Sequence, residues 1–559
     1  MNDQHFNLVI DPWIKVIDLN AKTQTVSMVE LFENAKQYRQ LAGEMRSQDL
    51  AIMRFLLAVL QTVYSRFNAE DKSYGWLTVD PKKFQVTDVT DYDEDDLLDT
   101  WESLYQGGNF TQVVVEYLKK NQDRFDLFGE HPFYQVTKEE YDRFVLDKYK
   151  IAKGTGTVAI KQMNRRISES NNTPDLFSPK IADSKNDVDL AELVRWLICY
   201  QNFTGVTDKA KVETAEKFST PAGWLYKLNP VYANGKNMFE SLLLNLVLTG
   251  DEYYQERPVW EYDEIGEYIK WRKTELLPDN RAALYTAWSR IIHIEWSSDM
   301  LPTIYSAGIP IFSSSNAFIE PMTVWKKSRQ AKDNEFIPAV KGKQALSLAM
   351  WRKFGDYVNP NKADDVHRPG IVSWLNELKN EKIIERKKRI SLVSVALVSD
   401  GNATSQSPYA EVSDDLTLDL NVLFDDSENY WPKRIEDTID LTQDVGKSYW
   451  VFVNDLARIR KLDSKELNKK LMDKFYDQLN MPFKTWLSQL TNQDDRDLKI
   501  NEWKKELWKI VNSEVEDFMK NSTSRDITGI VDDQKNLLNV FVAKNKLLGS
   551  VSNKLKIRW

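Results

Sequence analysis

Apolar positions recur at three- and four-residue steps in two parts of the chain, and the two parts differ in what surrounds them. From about Gln48 onward, Leu50, Met53, Leu57, Leu60 and Tyr64 fall on one helical face, which predicts a helix with that face buried. Ser47 stands where it can cap this helix, and Asp49 sits where the helix dipole favours a negative charge. Ahead of it, residues 6–17 (FNLVIDPWIKVI) read as a strand with a turn at Asp11-Pro12, followed by a short helix and a link. Further runs, 287–296 (AWSRIIHIEW) and 390–398 (ISLVSVALV), read as strands. The polar stretches 180–189 and 399–408 read as loops, the second with the Gly, Asn and Ser content of a turn.

From about Lys433 the texture changes. Four amphipathic segments follow, near 433–461, 464–492, 496–521 and 531–553. Asp463 and Glu466 form a capping pair at the start of the second. Leu467, Leu471 and Phe475 make its apolar stripe; Trp503, Leu507, Val511 and Val515 make that of the third. Short links between long helices favour antiparallel neighbours. The expectation is an α+β chain: a large mixed α/β N-terminal domain over 1–410, then a C-terminal four-helix bundle over 411–559.

A length of 559 residues exceeds one small core. One cysteine, Cys199, excludes internal disulfides and a cysteine-based zinc site, and its apolar helix makes it a small buried residue. The start, MNDQHFN, shows no charged-then-apolar leader, so the expected location is the cytoplasm. The net charge of −9 argues against a general positive field for nucleic acid. The distribution is uneven, however. Residues 148–185 hold eight Lys or Arg against three acids, and 534–559 hold six and no acid. Such local basic surfaces suit contact with nucleic acid at chosen places, while any single run also reads as a solvated face. Catalytic fingerprints are missing: there is no Walker loop, HExxH, CxxC or GxSxG. His293 and Glu295 share one strand face, and a structural histidine is the simpler reading than a metal ligand. The carboxylates Asp91, Asp93, Glu94, Asp95 and Asp96 lack the glycine and spacing of a calcium loop and read as a solvated helix start. No cofactor and no metal are expected.

The arrangement DPWI, then LAGEMRSQDLAIMRFLLAV, resembles the start of the CasA-like large subunit of the type I-E CRISPR Cascade complex. Further blocks continue the resemblance in order: DRFDLFGEHPFYQV, LAELVRWLICYQNFTG, GKNMFESLLLNLV and RPVWEYD. The resemblance implies a non-enzymatic subunit of an antiviral RNA-guided complex. Such a subunit reads the protospacer-adjacent motif in duplex DNA, starts strand separation and recruits a helicase–nuclease. The implied partners are other Cascade subunits, the 5′ handle of the CRISPR RNA, target duplex DNA and that nuclease, with no membrane.

The residues it implies are these. Leu176, Phe177 and Ser178 match a loop that contacts the guide handle and lies near the motif. Gly205 stands in the family's minor-groove glycine loop; with one glycine where several are usual, Lys209 and Lys211 are left to contact phosphate instead. Asn402 and Ala403, then Gln406, match a wedge turn, and 400–402 (DGN) would also form a plain hairpin turn. Lys326 and Lys327 are candidates by charge for a lysine reaching into the minor groove. Family members that bind zinc through cysteines do so near Ser313-Ser314-Ser315, so no zinc is expected here. Two readings of other classes stay open: a soluble metal-dependent enzyme using scattered carboxylates and His293, and a purely structural adaptor.

Overall fold

The computed structural model describes residues 5–169, 177–205, 210–218, 222–249, 253–328, 335–343, 346–359, 364–385, 387–399, 408–427, 430–531 and 535–557. The chain divides into two compact units. The first comprises residues 1–346, 369–375 and 393–413; the second comprises 347–368, 376–392 and 414–559.

The first unit opens with a three-stranded antiparallel sheet, β1 (Ile14–Asp18), β2 (Thr23–Val26) and β3 (Tyr38–Leu41), with β1 in the middle. The strand expected from residue 6 starts only at Ile14. Before it, the Asn7 side-chain oxygen accepts from the Val9 amide and the Asn7 carbonyl accepts from Ile10 and Asp11, a tight turn that the apolar run conceals. Helix α1 (Arg46–Tyr64) follows, and all of its 19 residues but Arg46 are buried. The expectation of one buried face was too modest, because neighbouring elements cover every side. Its N-cap is Met45, which supplies no side-chain hydrogen bond; Ser47 is the second helical residue, not the cap.

Phe55 of α1 sits among Trp13, Phe125, Phe133, Tyr134 and Trp260 with ring centroids 5.4–6.3 Å away, the edge-to-face spacing aromatic quadrupoles prefer. Arg54 makes two 2.8 Å bonds to Glu320, and both side chains are fully buried. Arg66 pairs with Glu261 in the same way, with the Tyr117 hydroxyl donating to that carboxylate.

Helix α2 (Leu190–Phe203) starts at an Asp189 cap that accepts from Glu192. The stretch before it contains one 3-10 turn, Ala182–Asn186, in place of the expected loop. Strand β4 (Val231–Asn234) comes next. Then β5 (Arg290–Trp296) and β6 (Pro302–Gly308) pair antiparallel in full register from Arg290↔Gly308 to Trp296↔Pro302, with Thr157–Val158 on the other edge of β6. The two long strands β7 (Arg389–Ser399) and β8 (Pro408–Asp419) pair with each other, and β7 also pairs with β4. Their residues are divided between the units.

The second unit is built on four long helices, α3 (Trp431–Arg460), α4 (Ser464–Gln489), α5 (Arg496–Lys520) and α6 (Val540–Leu555). Asp463 caps α4 by accepting from Lys465. The expected stripes are buried: Leu471 and Phe475 in α4, and Trp503, Leu507, Val511 and Val515 in α5; Leu467 is only half-buried. Phe475 stacks on Tyr449 at 4.5 Å, and Phe483 packs on Trp351 at 4.2 Å and on Trp503 at 4.9 Å. At Gly446 an added Cβ would lie 2.3 Å from the Tyr476 hydroxyl, so two helices approach closely there. The fourth helix begins nine residues later than expected. A two-stranded ladder of Ile530–Val531 and Leu537–Leu538 precedes it, and Asn539 caps it by accepting from Val542.

Candidate functional site

Helix α2 organises the candidate residues of the first unit. Its 14 residues span about 21 Å, and an expected loop lies at each end. At the N-terminal end, Phe177 is 95% exposed, and the Ser178 hydroxyl accepts from the Lys180 amide. The segment is tied down by charge. The Lys180 ammonium donates to the Asp187 carbonyl at 2.6 Å and to both oxygens of Glu192, in the first turn of α2. Glu169 holds Lys161 and Lys185 together.

At the C-terminal end, Gly205 is buried and its carbonyl accepts from the Arg290 guanidinium at 2.9 Å. On the far side of residues 206–209, Lys211 bridges to Gly308, while the Val212 amide donates to the Gly308 carbonyl. Arg290 and Gly308 are register partners at one end of the β5–β6 hairpin. The hairpin therefore brings Gly205 and Lys211 to one place and fixes both flanks of the loop. The Lys211 ammonium donates to the Phe218 carbonyl at 2.6 Å and lies over its ring at 5.3 Å. Lys326 and Lys327 lie on the short strand Trp325–Lys327, opposite Ile337 and Phe336; Lys326 is half-buried and Lys327 exposed. Leu176, Lys209, Asn402, Ala403 and Gln406 lie outside the described residues.

Between the two ends of α2, Arg195 enters a largely buried polar junction. Arg195 of α2 donates through Nε and Nη2 to the two oxygens of Glu44, at 3.1 and 2.7 Å, and through Nη1 to the Trp13 carbonyl at 2.7 Å. Lys15 adds a 2.6 Å bond to Glu44. Burial would raise the Glu44 carboxyl, but the hydrogen bonds and charges of Arg195 and Lys15 outweigh it and hold it down to about 2. The Glu44 amide donates to the Gln48 side chain, and the Gly43 amide donates to Asp49 at 2.7 Å. A Cβ at Gly43 would meet these same two side chains at 2.4 and 2.8 Å, so the chain turns into α1 with no room to spare. Burial pushes the Asp49 carboxyl up to about 7, helped by the nearby charges of Glu411 and Glu44 and opposed by the Gly43 amide and Arg46. Glu411, on β8, accepts from the Ser47 amide at 2.6 Å.

Sequence reasoning missed Arg195, Arg290, Glu44 and Glu411. A lone arginine inside LAELVRWLICY signals a buried partner; Glu411 carries no local signal. His293 has Nδ1 2.9 Å from the Val136 carbonyl, and Glu295 pairs with Lys138. Asp93 caps the helix Glu94–Gly107, whose first turn carries Glu94, Asp95 and Asp96. Cys199 is fully buried, which raises its thiol above the ordinary range. Among the described residues no cluster of three or more His, Cys, Asp or Glu is arranged to hold a metal ion. No described helix is long and apolar enough to cross a membrane.

The family model described as CRISPR-associated protein Cse1 matches residues 7–513. Among solved structures, the crystal structure of Thermobifida fusca Cse1 is similar at 20% identity with a TM-score of 0.76, covering 99% of this chain and 98% of that one. Cse1 from Acidimicrobium ferrooxidans is similar at 17% identity with a TM-score of 0.70, covering 100% and 99%. A chain of a structure described as a CRISPR RNA-guided surveillance complex matches at 14% identity with a TM-score of 0.62, covering 98% and 99%. No curated protein matches the chain.

Proposed function

Because this chain belongs to the CRISPR-associated Cse1 family, the CasA-like large subunits of type I-E Cascade, we propose that it reads the motif flanking a DNA target and starts strand separation there. It binds as one subunit of an assembly with other Cascade proteins and the CRISPR RNA. The guide then supplies sequence specificity by pairing, as in other RNA-guided systems. The chain is not itself an enzyme; cleavage belongs to a recruited helicase–nuclease. The single observation that carries this reading is the family match over residues 7–513.

The ends of α2 support it. Phe177 presents a stacking surface that fits an unpaired base of the guide handle. Gly205 and Lys211 are both held at the end of the β5–β6 hairpin, which supports placing Lys209 and Lys211 against phosphate beside the minor groove. Asn402, Ala403 and Gln406 are assigned as the wedge at the first base pair, and Lys209, Lys211, Lys326 and Lys327 to phosphate or the groove.

Gel-shift binding of the assembled complex, with and without this chain, tests the reading on duplexes that carry or lack candidate flanking motifs. Salt is held fixed because phosphate contacts make affinity steeply salt-dependent. Motif-dependent binding should appear only with the chain present. Replacing Asn402 and Gln406 with Ala should weaken it by about tenfold or more. Equal binding without the chain would remove the function proposed.

A further inference from the structure

The block LAGEMRSQDL carries the resemblance most visibly, yet none of its residues is among those assigned to nucleic acid. Its place in the fold explains what it does. Glu44 in this block pairs with Lys15 of DPWIK and with Arg195 of LAELVRWL, and Arg195 also donates to the Trp13 carbonyl, so three family-like blocks distant in sequence meet at one half-buried carboxylate and its arginine. Arg195 lies on α2, the helix whose two ends carry the candidate loops. Ser47 in the same block receives Glu411 from β8, and β8 is the strand that leaves residues 400–407.

The bond between Ser47 and Glu411 has a local cause. A helix leaves its first amides without intrahelical partners. Met45, as N-cap, offers no side-chain acceptor, and the Ser47 residue is fully buried. Its amide would be orphaned without the carboxylate that arrives from 364 residues away. A charge-assisted bond of 2.6 Å is short and directional, so it sets where the start of β8 lies.

We propose that Glu411 is a positioning residue for strand opening: it fastens the strand leaving the wedge segment to the first turn of α1, which the Glu44 junction ties to the helix between the two reading loops. This rests on the assignment of the wedge made above. What matters in Glu411 is then an acceptor oxygen at a fixed reach, more than its charge.

The test uses the assembled complex containing the full chain. The probe is a duplex carrying the flanking motif selected by gel shift, with 2-aminopurine at the first target pair, whose fluorescence rises on opening. A second duplex is already mismatched at that pair. Glu411→Gln keeps an acceptor at the same reach and should open the probe within about twofold of the unmodified complex. Glu411→Ala removes the acceptor and Glu411→Asp withdraws it by one methylene, and both should lower opening by about tenfold. Binding to the mismatched duplex should stay within about twofold for all three.

The order Gln above Asp supports positioning and does not depend on the Ala variant folding. The reverse order, with Asp normal and Gln impaired, would assign a charge effect and overturn the proposal. Normal opening by all three would overturn it too, as would equal loss on the mismatched duplex, which marks general damage to the chain. Failure of the unmodified complex to open the motif-bearing duplex would sink the wedge reading underneath.

Discussion

Helix α1 and helix α5 are of similar length and solve opposite problems. In α1 all but one of 19 residues are buried; in α5 five of 25 are. A helix with one buried stripe leaves its polar side chains in water, and its apolar period reports its packing directly. A helix covered on all sides must find partners for every polar group it carries. Arg54 finds Glu320, which also takes the Trp224 indole at 2.7 Å and the Met322 amide at 3.0 Å. Gln61 donates to the Val247 carbonyl. The α5 stripe is held mainly by volume and shape, with Glu514 alone among its buried residues paired to a cation, Lys474; α1 is held by volume plus fully buried polar ties, Arg54 on Glu320 and Gln61 on the Val247 carbonyl.

Removing one member of such a pair should therefore give the largest effect. Arg54→Ala leaves Glu320 buried without its cation, and the first unit should lose about 3–5 kcal/mol. The readout is the earliest transition in chemical denaturation followed by tryptophan fluorescence. The double change Arg54→Met with Glu320→Gln should recover most of the loss, because the uncompensated charge is gone. A single-variant cost below 1 kcal/mol would mean that α1 is held by apolar packing, like α5.

In the second unit the matching experiment is Leu507→Ala, which opens a cavity among buried helix faces. A loss of about 3 kcal/mol is expected, confined to the transition of that unit. No pH dependence should accompany it, since no charged partner is lost. A pH-dependent loss would blur the distinction between the regions.

The same distinction decides how much the sequence discloses. The bundle helices are legible because their stripes repeat: Trp503, Leu507, Val511 and Val515 lie at four-residue steps and are all buried. The late start of α6 was not, since two-residue strands such as Leu537–Leu538 have no period to detect. For α1 the period predicted the helix and misjudged its burial, because neighbours far along the chain cover the polar face. The cap was misassigned for a related reason. Ser47 is a good capping residue by type, but its amide is served by Glu411, a partner no local pattern can name. Polar composition marked 180–189 and 399–408 as loops, but the roles assigned to the candidate residues came through resemblance alone. What the structure adds is how they are held: α2 between them, Lys180 on Glu192, Arg290 on the Gly205 carbonyl. These ties link residues 12 and 85 positions apart, and the period of one element does not record them.

The smallest effect is expected where the buried junction titrates. Asp49 has its carboxyl raised by burial to about 7, against 3.8 for an ordinary aspartate. A folded-state value above the unfolded one means that the folded chain holds its proton longer. The stability this gives is complete below about pH 4 and is lost as pH rises through about 7. Glu44 runs the other way: held down to about 2, it stabilises above its ordinary value of 4.5 and that contribution is lost as pH falls toward 2. Asp49→Asn keeps an oxygen for the Gly43 amide and cannot ionise. It should leave stability at pH 4 nearly unchanged and raise it at pH 8 by about 1–2 kcal/mol, read as a rise in the melting temperature of the first unit. The same substitution in Leu507→Ala should add independently, since the two sites share no partner. A gain equal at both pH values would place the benefit in packing, and a loss at pH 8 would mean that the ionised carboxylate is the form this junction needs.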